Sequence, residues 1–272
     1  MSLARATRSE LTKQFTTSGW WILGIVLLAY VGFTTAGLTF ALAFSVNGSL
    51  GESSGMAASA DGLATLLYSL ATSIGYVFPL LIGTLIVTVE FRHKTLTPTF
   101  LATPARGTVL LAKVASGVIV GALFGAIALV ATVGPAAGIL SGFGLATELG
   151  SLDTWALFAR TIAAFVLWVL IGIGVGSLVR NQVAAIVIVL AFTQLVEPIA
   201  RLAAGFVDGL DSVTRFLPGA ASDSLVGASV FSFSTTASAD ALSWWQGGVT
   251  LLVYAALFVL AGHIFSWRRD VE

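Results

Sequence analysis

Six long apolar runs separated by short polar stretches set the pattern of this 272-residue chain. The first, 20–44, holds 25 positions without a charge, and a helix needs roughly 20 residues to cross the hydrocarbon core of a bilayer. Runs over 63–89, 108–133, 154–179, 183–204 and 244–267 predict five more spanning helices. The fifth is expected to break at Glu197 and Pro198, because the 14 residues before them reach only about 21 Å into a core about 30 Å thick. Interfacial tryptophans flank the first and last runs: Trp20 and Trp21, then Trp244, Trp245 and Trp267. The expected fold class is an all-α integral membrane protein, a single transmembrane domain over residues 1–272 with six helices.

Polar positions add detail to these runs. In the second run Tyr68, Ser69, Thr72, Ser73 and Tyr76 recur at mixed three- and four-residue spacing, a stripe that serves either close helix packing or a substrate-facing wall. Gly117, Gly121 and Gly125 in the third run have the register of close helix contact. Gly172, Gly174 and Gly176 spell GxGxG, but inside an apolar helix with no preceding strand, so a dinucleotide loop is discounted. Residues 135–153 and 205–243 are expected to be connecting loops. Before the first run, Leu3, Leu11 and Phe15 offer an apolar side while Arg5, Arg8 and Lys13 suit anionic headgroups, so residues 1–19 read as an amphipathic interfacial helix or a basic tail.

Composition agrees with a membrane solvent: 57% of residues are hydrophobic and 10% charged, against about 25% charged in soluble domains. Thirteen basic and thirteen acidic residues cancel, which argues against nucleic acid as a partner. Their distribution gives an orientation. Six spans put both termini on one side, and all basic residues except Arg160, Arg201 and Arg215 fall on that side. By the positive-inside rule the termini are expected in the cytoplasm.

The chemistry that would make the chain an enzyme is missing from its sequence. It has no cysteine, so no thiolate nucleophile and no cysteine-ligated zinc. His93 and His263 lack an acid or second imidazole at metal-ligand spacing, so no metal site is expected. No serine has a plausible histidine partner within the membrane, and no G-x-x-x-x-G-K-[ST] occurs, so ATP hydrolysis by a P-loop of its own is not expected. Transport and scaffolding remain. An ion-coupled transporter or channel would call for buried charge near the midplane and an internal repeat, and neither is evident.

The interior stretch EFRHKTLTPTFLATPARGTVLLAK, residues 90–113, concentrates Arg92, Lys94, Arg106 and Lys113 between the second and third runs. Thr97 as N-cap and Pro98 at the first position start a helix that Pro104 stops, predicting a short stiff knob on the cytoplasmic face. Glu90 beside Arg92 and Lys94 is expected to form a local ion pair that sets the knob's angle. An ordinary basic loop obeying the topology rule is the alternative.

These residues resemble a family. Glu90-Phe-Arg-His-Lys-Thr, then Ala102-Thr-Pro-Ala-Arg106 and Lys113, is similar to the stretch after the second span of ABC-2 type permeases, the membrane subunits of ATP-binding-cassette exporters. Glu10-Leu-Thr-Lys13 with Trp20-Trp21 resembles that family's amphipathic N-terminal helix, although Ser18-Gly19 stands where an arginine is common. Val196-Glu197-Pro198 and Phe216-Leu-Pro-Gly-Ala-Ala221 are similar to its fifth-span and outer-loop signatures. The resemblance implies that residues 94–103 form a coupling helix docked on a separate ATPase subunit. Glu90, Arg92, Lys94, Thr95, Thr97, Pro98, Thr103, Pro104 and Arg106 would make or brace it. It further implies two ATPases, which bind the ATP and Mg, a second permease as homo- or heterodimer, and a bacterial cell membrane around them. Tyr68, Thr72, Ser73, Tyr76, Thr193 and Gln194 would line the substrate pathway. Glu197 would mark an outer gate, paired with Arg201 or Arg160.

Overall fold

The computed structural model describes residues 2–47, 62–95, 98–99, 105–179, 181–207, 209–228 and 242–267. Among them there is no strand, and six helices are long and apolar enough to cross a membrane. Helix α1 (Leu3–Thr16) precedes the first span, α2 (Gly19–Asn47). The second span is α3 (Leu63–Gly75) with α4 (Val77–Arg92), the third is α5 (Arg106–Gly142), and the fourth is α6 (Leu152–Leu178). The fifth joins α7 (Gln182–Ala191), a π-turn (Phe192–Val196) and α8 (Glu197–Ala204). Two short helices follow, α9 (Asp211–Thr214) and α10 (Pro218–Val226), and the sixth span is α11 (Trp244–Gly262) with a terminal π-turn (His263–Trp267).

Prolines act differently in three spans. Pro79 has no N–H for the Gly75 carbonyl, so the second span divides at Tyr76, where the flanking bonds stretch to 3.3 and 3.4 Å. Pro135 does not open a loop as the sequence suggested. The third span runs through it for 37 residues, about 55 Å. Only one backbone bond is lost there, and Ala136 and Leu140 beyond it are fully buried in the same apolar cluster as Leu67 and Leu157. In the fifth span the expected break at Glu197 and Pro198 is a π-turn: the Glu197 N–H reaches the Phe192 carbonyl, five residues back. That wider turn absorbs the proline, and the whole span is 23 residues, about 34 Å.

The second span is the most enclosed helix, and the fourth lies against it. Their closeness depends on missing side chains. A Cβ on Gly83 would overlap the Val169 backbone, one on Gly172 would meet the Leu80 carbonyl, and one on Gly176 the Thr84 backbone. Gly174 turns the other way, onto Phe258 and Val259 of the sixth span. The GxGxG run is thus a two-sided packing seam. Gly121 and Gly125 do the same for the third span against Val166 and Ile162 of the fourth. The first, fifth and sixth spans direct Ile25, Phe33, Val187, Leu195, Leu252 and Leu257 outward, where only an apolar surrounding leaves them without penalty.

Placing a side chain at the seam should be costly. Gly172→Val is expected to destabilise the protein by about 1–3 kcal/mol, the usual range for overpacking. Gly138→Ala, where a Cβ meets nothing within 4 Å, should leave the melting temperature in detergent unchanged or slightly raised. Equal melting of the two variants would contradict the seam.

Candidate functional site: a buried charge ring beneath an interior loop

Two carboxylates and two ammonium groups meet where α1, the end of α4 and the start of α5 converge. Glu10 Oε1 accepts from Lys13 Nζ at 2.7 Å and its Oε2 from Lys113 Nζ at 2.6 Å. Glu90 Oε1 accepts from Lys13 Nζ at 2.9 Å, and its Oε2 lies 2.8 Å from Lys113 Nζ. That last contact is Coulombic, without the alignment of a hydrogen bond. Each acid thus bridges both bases through different oxygens, closing a ring of alternating sign. Lys113 is 0% exposed and sends a further N–H toward the Ile86 carbonyl at 3.4 Å.

The local fold explains the convergence. Glu10 and Ala6 form the buried face of α1, while Leu3 and Phe15 of its apolar side stay exposed. Lys13 is one turn beyond Glu10. Lys113 sits two turns into the third span, too deep for its ammonium to reach solvent. Burial disfavours the charge on Glu10, but the Lys113 ammonium and hydrogen bonds from Lys113 and Lys13 outweigh it and hold its pKa below the usual value. Burial likewise opposes the charge on Lys13, and its bonds to Glu10 and Glu90 raise its pKa nonetheless.

This arrangement corrects the expected local ion pair. Glu90 does not hold Arg92 or Lys94: its carboxylate engages Lys13 and Lys113, which lie 77 residues before it and 23 after. Arg92 instead donates to Gln182 Oε1 at 3.3 Å, tying the loop to the start of the fifth span. The second span ends through its backbone, since the Thr95 N–H reaches the Glu90 carbonyl at 3.0 Å while Lys94 takes a left-handed φ of 54°. Pro98 and Thr99 are helical. Thr97, Thr103 and Pro104 lie outside the described residues, and Arg106 begins the third span.

The remaining candidates gather at the opposite end of the bundle. Tyr68, Thr72, Ser73, Tyr76 and Thr193 are buried inside the chain, and only Gln194 is exposed. The Tyr68 hydroxyl donates to the Thr147 carbonyl and the Tyr76 hydroxyl to the Thr193 carbonyl, each at 2.8 Å. Ser73 Oγ donates to Asp223 Oδ1 at 3.1 Å. Asp223 belongs to α10, which folds back from the loop after the fifth span, and Arg201 Nη2 donates to its Oδ2 at 2.7 Å. Beside it Ser222 accepts from Trp168 Nε1 at 3.0 Å, and Trp168 faces Tyr76 with ring centroids 4.7 Å apart. The hydroxyl stripe is therefore a seam between the second span, the fourth, the fifth and α10.

The three expected gate residues take separate partners. Glu197 Oε1 accepts the Gly219 and Ala220 N–H groups at 2.5 and 3.2 Å. Arg201 binds Asp223, and Arg160 stacks 4.8 Å over the Trp244 ring. Sequence reasoning missed α10 as an inserted element and with it Gly219, Ser222 and Asp223. The signal was Leu217-Pro218-Gly219, a helix start within a stretch taken as loop.

The fold defines a multi-pass helical membrane protein with one ionic and one polar centre, at opposite ends of the bundle. No protein-family model matches the chain and no curated protein matches it, so what its centres do is argued from their own residues.

Breaking the ring should cost more than a surface ion pair would. Lys113→Met leaves two carboxylates around a buried site and is expected to destabilise by about 3–5 kcal/mol. The pH dependence has two limbs. Glu10, its pKa lowered in the fold, contributes stability above the unfolded value of about 4.3 that is lost as pH falls through the folded pKa. Lys13, its pKa raised, contributes stability below an unfolded value of about 10.4 that is lost as pH rises through the folded one. Melting curves of the purified protein should fall on both sides of neutrality, and Glu10→Gln should flatten the acid limb.

Proposed function

We propose that the chain is the membrane permease subunit of an ATP-driven exporter, moving an apolar or amphipathic cargo out of the cytoplasm. Its motor is a separate ATPase subunit, present in two copies, that binds the ATP and Mg. A second permease completes the complex in the bacterial cell membrane, with both termini cytoplasmic. Residues 94–103 dock on the motor, and the seam of Tyr68, Thr72, Ser73, Tyr76 and Thr193, with Gln194 beside it, opens to admit cargo. Glu197, Arg201 and Arg160 form the outer gate. The chain itself catalyses no reaction.

The observation that carries this reading is the ring. Glu90 and Lys113 lie at the two ends of the interior basic loop; they contact each other, and α1 holds Glu90 through Lys13 and Lys113 through Glu10. A loop clamped at its base moves as a unit with the second and third spans, as a part that receives force must. Two features of the seam support the remainder of the reading. Tyr68, Ser73, Tyr76 and Thr193 are paired within the chain while the buried Thr72 hydroxyl has no partner, so opening requires exchange of the existing bonds. Its hydroxyl and aromatic lining suits a cargo without strong charge. A static scaffold would need neither property.

Purification from native membranes is expected to recover an ATPase subunit of about the size of one nucleotide-binding domain in equal amounts with the chain. Deleting residues 94–103 should abolish that recovery and ATP-dependent efflux while the protein still inserts. Recovery and efflux that both survive the deletion would exclude the docking role, and absence of any ATPase from the native preparation would favour a scaffold or an ion-coupled carrier.

A further inference from the structure

Glu197 is the one acid of the fifth span, 1% exposed, and its two oxygens are treated unequally. Oε1 accepts two backbone N–H groups from the first turn of α10. Oε2 is buried with no hydrogen-bond partner. An ionised carboxylate spreads its charge over both oxygens, so a buried oxygen with neither a donor nor a cation against it carries uncompensated charge. A neutral acid has one carbonyl oxygen that accepts, as Oε1 does, and one hydroxyl, and leaving that hydroxyl without a partner at Oε2 costs less than leaving a charge there. The alternative, a charge with one oxygen desolvated and unpaired, is costly at that depth.

The surroundings do not supply the missing donor. Four titratable groups from three other elements and its own helix face Glu197: Arg201 one turn along, Asp223 from α10, Tyr76 from the second span and Tyr254 from the sixth. The Arg201 guanidinium reaches Asp223, and the Tyr76 hydroxyl is committed to the Thr193 carbonyl. Asp223 adds a second negative charge to the same pocket. The N-terminus of α10 pulls toward ionisation, but its N–H groups serve a carbonyl oxygen equally well. Gly219 permits the approach, since a Cβ there would occupy the position of the carboxyl group.

We propose that Glu197 is a proton-binding site, holding a neutral carboxylic acid while α10 is seated on the fifth span and releasing the proton when α10 lifts away. Seating of the outer loop is then linked to protonation: it is favoured at low pH and weakened as pH rises through the point of release. The site stands apart from the export reading, because a bound proton is detected whether or not the chain moves a cargo.

Infrared difference spectra of the full chain in lipid, comparing wild type with Glu197→Gln at neutral pH, test it directly. A protonated-carboxyl C=O band present in the wild type and absent from the variant supports the site; its absence from both overturns it. A second measurement guards against an indirect loss. Glutamine reproduces the neutral acid's shape and its acceptor for Gly219 and Ala220, so Glu197→Gln should melt like the wild type at acid pH. The wild type should then lose about 2–4 °C relative to the variant as pH rises toward 8. A variant that is much less stable than wild type at every pH would mean that the native group is ionised, and would overturn the proposal.

Discussion

The ring of Glu10, Lys13, Glu90 and Lys113 is the constraint on which the loop end of this molecule depends. Three buried charges, with Lys13 half-exposed beside them, cost several kcal/mol each unless every one is matched, and alternation of sign around a closed ring is the simplest way to match them. The consequence is geometric as much as energetic. Three segments far apart in the chain must arrive together and in register, because a ring missing one member leaves a buried charge. α1 thereby becomes part of the bundle through one acidic face, although its larger apolar side chains point elsewhere.

At the other end the same logic is carried by dipoles and hydrogen bonds. α10 is inserted by its own residues: Asp223 accepts from Ser73 and Arg201, Ser222 accepts from Trp168, and the N–H groups of its first turn donate to Glu197. The second and fourth spans, joined through glycine with backbone nearly touching backbone, form the stiff middle between these two centres. Stiffness there and exchangeable polar bonds at the α10 end suit the proposed transmission of movement from one face to the other.

Much of this was legible in the sequence because the bilayer reads sequence simply. Long apolar runs locate all six spans, and the glycine spacing in the third names a surface that packs. Local rules failed where a distant partner decided. Pro135 reads as a helix stop, yet burial of Ala136 and Leu140 carries the helix past it. Glu90 reads as a partner for its neighbours Arg92 and Lys94, yet it closes on Lys13 and Lys113, which only the tertiary fold brings near. Glu197 reads as a partner for an arginine, and backbone donors of a helix invisible as such in a Ser- and Ala-rich stretch hold it instead.

The proposed docking role requires the ring to act as one unit that holds the interior loop in place. A double-mutant cycle on Glu10 and Lys113, with retention of the proposed ATPase partner on the purified protein as the readout, tests this most directly. If the ring is a unit, Glu10→Gln and Lys113→Met each lower retention, and the double variant retains no less than the worse single one. Losses that simply add, or retention unaffected by either change, would contradict it.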